Sequence, residues 1–172
     1  AVLKVAFSGT GMKRDWNHAD KGSGGSCYRA LVAETRKAIA AAKKQGIVLR
    51  PRAFAWVQGE SDANAVDAPD YSRALGAMIT AFREDIGAPQ LPALIAVNTN
   101  FGGGRNRFMP MIVKQQQLLA STDPRCEYVD TSSATIANSA HYDSKGTLLV
   151  GRLFAESLWK LEAKLQPKRR HF

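Results

Sequence analysis

The chain has 172 residues, 45% hydrophobic and 23% charged, a composition that supports one compact domain and argues against disorder or a second core. No apolar run approaches the roughly 20 residues that cross a bilayer, and AVLKVAF at the start is too short and too soon interrupted for a signal peptide, so no membrane partner is expected, while the compartment stays open. The net charge of +9 is uneven: residues 1–50 carry ten basic and three acidic groups, 51–100 three and six, and 101–172 eleven and six, without the interleaved aromatics of a nucleic-acid groove.

Val2 to Phe7 is a short apolar run that predicts a buried strand running into Ser8-Gly9-Thr10-Gly11. After a glycine-rich loop at 21–26, Leu31, Val32, Ile39 and Ala42 fall at helical spacing, so Tyr28 to Lys44 reads as an amphipathic helix with Gly46 as its stop. Ala53 to Val57 reads as a second strand, broken by Gln58-Gly59-Glu60-Ser61-Asp62, and Pro69 to Ile86 as a second helix ended by Gly87. Leu91 to Val97 is a third strand. The loop 101–107 holds three glycines at 102–104 without the Lys-Ser/Thr of a phosphate loop, and reads as a mobile connection. Met109 to Ala120 reads as a helix, Glu127 to Asp130 as a fourth strand and Ser144 to Leu165 as a long final helix; Lys168, Arg169, Arg170 and His171 read as a solvated end.

Uniformly apolar strands alternating with amphipathic helices predict a doubly wound α/β fold, with a parallel sheet between helical layers. Such folds bind ligands beyond the carboxyl ends of their strands, which directs attention to 8–11, 58–62 and 138–143. Gln58, Glu60 and Asp62 place an amide and two carboxylates at a strand end, where buried polar groups need partners or a task. In Asn138-Ser139-Ala140-His141-Tyr142-Asp143 a histidine precedes the last helix, with Asp143 or Ser144 placed to cap it. Glu60 reads either as the group that orients His141 or as a cap on its own turn; Ser61 and Asp62 read as side chains that close that turn. Cys27 and Cys126 belong to no metal motif, and no cluster of histidines, cysteines or carboxylates has metal-ligand spacing, so neither metal nor cofactor is expected.

AFSGTGMKRDW, FAWVQGESDA and AHYDSKGTLLVGRLFAE, in this order and spacing, resemble the carbohydrate esterase family 6 and sialate O-acetylesterase-like group of the SGNH-hydrolase superfamily. The resemblance spans nearly the whole chain and implies a flavodoxin-like three-layer α/β/α fold. It also implies a serine esterase that removes acetyl groups from acetylated sugars or polysaccharides, of acetylxylan or sialate type, without a metal. In that family a serine of a Gly-Gln-Ser-Asn segment attacks the ester, a histidine near the C-terminus is its base, and a glycine and a glutamine hold the oxyanion. Matched motif by motif, Gly9 falls on the oxyanion glycine, Gln58 on the amide of Gln-Gly-Glu, and His141 on the base, while Trp16 and Tyr28 match common family aromatics that read first as packing residues and second as substrate contacts.

Two departures accompany the match. The nucleophile segment should precede the Gly9 motif, and these 172 residues contain no Gly-Gln-Ser-Asn; a missing N-terminal segment or a complementary chain is therefore expected to supply the first strand and the serine. The family's aspartate three residues before the histidine is here Asn138, which cannot stabilise an imidazolium by charge; Glu60, or more remotely Asp130, would replace it. Ser8 is a poor substitute nucleophile because it lies where the oxyanion loop belongs. The alternative is a non-catalytic carbohydrate-binding relative that kept the cleft and lost the serine.

Overall fold

Each helix of the first half is closed by the residues the sequence supplies for it. α1 (Ser26–Lys44) ends with Gly46 N–H on the carbonyl of Lys43 and Ile47 N–H on that of Ala42. α2 (Tyr71–Asp85) ends in the same way, Gly87 N–H meeting Glu84 and Ala88 N–H meeting Arg83. These paired bonds satisfy carbonyls that a helix terminus otherwise leaves without partners.

The computed structural model describes residues 1–166; the basic tail at 168–171 lies outside them. Three strands, β1 (Phe54–Val57), β2 (Ala93–Ala96) and β3 (Cys126–Tyr128), form a parallel sheet in that order, with Trp56 opposite Ile95 and Ile95 opposite Tyr128. Helices α2 and α3 (Met109–Thr122) make the crossovers and share one face of the sheet with α1, and α4 (Ser144–Leu165) covers the other. Phe54, Trp56, Ile95 and Cys126 point into the larger core with Leu75, Met78, Ile79 and Ile112; Leu94, Ala96 and Val129 pack with Phe154 and Leu161 of α4. Fully buried Leu75, Met78 and Ile79 each contribute about 1.5–3 kcal/mol by leaving water. The three layers agree with the doubly wound expectation.

Residues 2–7 depart from it. They form no strand: the segment is largely exposed, only Val5 reaches the core, and no described residue pairs with its backbone. Apolar composition makes a strand only when a neighbour satisfies the ladder groups, and this segment is held by side chains instead, through Val5 and through Phe7, whose ring lies 5.9 Å from that of Trp16. One edge of the sheet is therefore β1 itself, whose Ala55 and Val57 are exposed on the α4 side.

The triple glycine winds into a short turn, Phe101–Gly104, whose Gly102 N–H donates to Ser139 O at 2.6 Å. Cys27 and Cys126 are free and buried, and burial pushes the Cys126 thiol up to about 12. No helix among the described residues is long and apolar enough to cross a membrane.

Candidate active site

The carboxyl ends of β1 and β2 and the loop before α4 meet at one edge of the molecule. A cavity of about 410 Å³ opens there, lined by Glu60, Asn98, His141 and Tyr142 together with Lys4 and Val57. Glu60 and His141 thus share one cleft. Glu60 Oε1 accepts the N–H of Asn98 at 2.9 Å, which ties the first strand's loop to the end of the second. Asn98 in turn donates its amide to Ala140 O at 3.2 Å, so the histidine loop is anchored to the same sheet end.

That loop is built from short-range bonds. An isolated antiparallel bridge joins Ile136 to Tyr142, and Ala137 N–H donates to His141 O at 2.8 Å. Asn138 Oδ1 accepts the N–H groups of Ala140 and His141 at 2.8 and 2.9 Å, and stands 3.1 Å from His141 Nδ1. Because two backbone donors fix which side of the Asn138 amide is oxygen, the ring nitrogen facing that oxygen must carry a proton. Nε2 of the exposed imidazole is then the bare nitrogen, able to take one up. Asp143 caps α4, accepting from Gly146 N–H and from the Thr135 hydroxyl at 2.7 Å each, and these bonds hold its carboxyl below the usual aspartate range. Tyr142 donates to Thr131 Oγ1 at 3.0 Å, since the Thr131 hydrogen is already on Val97 O at 2.9 Å; burial chiefly, with Glu60 adding, raises the Tyr142 phenol.

Gln58 and Gly9 are not among the residues that line this cleft. Gly9 is exposed, at φ +65, in the turn after Ser8. Gln58 is buried at 9% exposure, and its amide is fully used: Nε2 donates to Thr10 O at 2.9 Å and Asp62 Oδ2 at 2.5 Å, and Oε1 lies 2.8 Å from the Tyr71 hydroxyl. The structure thus joins Gln58 to the Gly9–Thr10 loop, and Glu60 to His141, with Gly59 between the two arrangements. Gly59 is at φ +149, and a Cβ there would come within 2.6 Å of Ile112 Cγ2, so the crossing between them accepts only glycine.

Trp16 and Tyr28, which read first as packing residues and second as substrate aromatics, are core residues. Trp16 is 4% exposed, packs edge-on to Trp56 at 4.8 Å and donates to Thr10 Oγ1 at 2.8 Å. Tyr28 is 3% exposed, with its hydroxyl on Asp85 Oδ2 at 2.5 Å. Neither ring faces the cleft; family-like aromatics here serve packing. Among residues not singled out from sequence, Asn98 directly follows the apolar run 91–97, so the strand-end rule applied to 58–62 also points to it. Tyr142 sits next to His141 and differs only in that its partner, Thr131, is remote in sequence. Among the described residues no group of three or more histidine, cysteine or carboxylate side chains is placed to hold a metal.

The parallel α/β sheet thus brings a histidine and a carboxylate together at its carboxyl edge, where such folds place ligand sites. A family model described as "Carbohydrate esterase, sialic acid-specific acetylesterase" matches residues 1–160, and the chain belongs to that family. At the family level this supports a carbohydrate acetylesterase. Among solved structures, the X-ray structure of an Arabidopsis thaliana protein is similar with a TM-score of 0.70 and 21% identity, over 88% of this chain and 57% of that one. The two share the flavodoxin-like three-layer α/β/α fold, and the chain spans a little over half the length of that plant protein. No curated protein matches.

Proposed function

We propose that this chain carries the base of a serine-type carbohydrate esterase that removes acetyl groups from acetylated sugars or polysaccharides, of the acetylxylan or sialate type. The observation that carries the reading is the Asn138–His141 pair, which leaves Nε2 free as proton acceptor in a cleft shared with Glu60. The nucleophile would come from a Gly-Gln-Ser-Asn segment outside these 172 residues, in a preceding stretch or a complementary chain. Its Oγ attacks the acetyl carbonyl as the serine proton passes to His141 Nε2. Collapse expels the sugar oxygen, which takes that proton, and leaves the acetyl-enzyme; water, deprotonated by the same nitrogen, then releases acetate and restores the serine.

Glu60 supplies a negative charge within the same cavity as the imidazolium that forms, the part Asn138 does not fill. The Gly9 backbone N–H is the expected oxyanion donor. The test is to assay the protein at its full encoded length beside the 172-residue chain on acetylated xylo-oligosaccharides, O-acetyl sialic acid and an aryl acetate. Acetate release by the longer protein, abolished when the added serine is changed to alanine, supports the proposal. A full-length protein that binds acetylated sugars but never cleaves them identifies the non-catalytic relative instead.

A further inference from the structure

Asp62 ends the Gln58–Asp62 segment, yet its carboxylate serves a different part of the chain. Oδ1 accepts the N–H of Met12, fifty residues away, at 2.9 Å, and Oδ2 accepts Gln58 Nε2 at 2.5 Å. The residue is 2% exposed. The second hydrogen of the Gln58 amide goes to Thr10 O, so the loop that carries Gly9 is gripped on both sides, at Thr10 and at Met12, by two side chains bonded to each other. Gly11 lies against the same carboxylate, and a Cβ built on it would stand 3.3 Å from Asp62 Oδ1.

Buried carboxylates persist only where hydrogen bonds offset their lost hydration, and bonds from N–H groups to a charged acceptor are about twice as strong as neutral ones. Burial here outweighs those bonds and raises the Asp62 carboxyl above the ordinary aspartate value. A group kept buried at that cost, on a loop other than its own, constrains position. Both hydrogens of the Gln58 amide are engaged within the protein, one on each side of this grip.

We propose that Asp62 and Gln58 form a positioning pair that sets where the Gly9 backbone N–H stands. The inference rests on the esterase reading for the role of Gly9, and its geometry is testable apart from that reading. Asp62→Asn keeps the side-chain volume and puts a donor where Met12 N–H or Gln58 Nε2 needs an acceptor. Gly11→Ala crowds the same carboxylate without removing it and serves if Asp62→Asn does not fold.

In two-dimensional ¹H–¹⁵N spectra, both variants should move the amide signals of Gly9 and Met12 and the Gln58 side-chain amide, while Phe154 and Leu161 stay in place. Unmoved Gly9 and Gln58 side-chain signals in both would overturn the pair. In the full-length esterase, Asp62→Asn should lower kcat about 10²-fold with KM within about twofold, the scale expected when a donor is misplaced by an ångström. Combining it with Gln58→Ala should cost no more than the worse single change. Wild-type kcat in Asp62→Asn, or losses that multiply in the double variant, would show that the two side chains act independently and refute the inference. A full-length protein without esterase activity would refute the functional reading, and the amide signals would still decide the positioning pair.

Discussion

Asn138 Oδ1 stands 3.1 Å from His141 Nδ1 and also accepts the His141 backbone N–H at 2.9 Å, so one side-chain oxygen fixes both the loop and the ring. When the buried acid of a serine protease triad is replaced by asparagine, turnover falls about 10⁴-fold because the histidine is held in the wrong tautomer. Here the backbone bonds from Ala140 and His141 turn the amide so that its oxygen faces the ring. The geometry keeps the correct tautomer and lacks only the charge.

The ¹⁵N signals of neutral His141 should therefore show Nδ1 protonated and Nε2 bare. Asn138→Ala should mix the tautomers and lower turnover of the full-length esterase. Asn138→Asp keeps the acceptor and adds a negative charge beside the forming imidazolium, and should raise turnover by about 10-fold or more. An Nε2–H tautomer in the unaltered protein would contradict the arrangement.

Gly59 separates Gln58 from Glu60 at φ +149, with Val97 Cγ2 at 3.1 Å and Ile112 Cγ2 at 2.6 Å from where a Cβ would sit. Gly59→Ala should cost about 2–4 kcal/mol of stability, combining backbone strain with an overpacked core. Urea unfolding followed by tryptophan fluorescence measures it. A loss below about 0.5 kcal/mol would mean that the backbone there relaxes freely.

Asp143 is held below its ordinary value of 3.8, first by the Gly146 N–H and then by the Thr135 hydroxyl. A carboxyl with a lowered value in the folded state stabilises above its unfolded value and loses that contribution as pH falls through the folded one. Acid should therefore loosen the start of α4 below about pH 3.8, where unfolded aspartate begins to take up protons first. Asp143→Asn should flatten this part of the stability profile while leaving the neutral-pH helix in place, as read by circular dichroism across pH. An unchanged acid slope in the variant would assign the loss to other carboxyls.

Helices were legible because their signals are local: the apolar spacing of Leu31 and Val32, the stops at Gly46 and Gly87, and the Asp143 cap each need only a few neighbouring residues. The run at 2–7 reads as a strand from its own residues, but a strand also needs a neighbour that those residues do not encode, and none of the described chain fills that place. The Asn138–His141 contact is three positions long, and the family motif it resembles is what singled Asn138 out. The Asp62–Met12 and Tyr142–Thr131 contacts join segments through the fold, so nothing near either residue announces them. Trp16 and Tyr28 stay open in the sequence for a related reason, since an aromatic residue type is the same in a core and on a sugar platform, and only burial separates the two.

The central claim, that His141 is the base for a serine supplied from outside these residues, is tested most directly by rapid-mixing kinetics of the full-length protein with an aryl acetate. The account predicts a burst of about one equivalent of phenol per enzyme, the mark of an acyl-enzyme, followed by slower turnover. His141→Ala should fold normally, because it alters an exposed side chain, and should lose both the burst and most of the turnover. A full-size burst in His141→Ala, or comparable ester cleavage by the 172-residue chain alone, would contradict it.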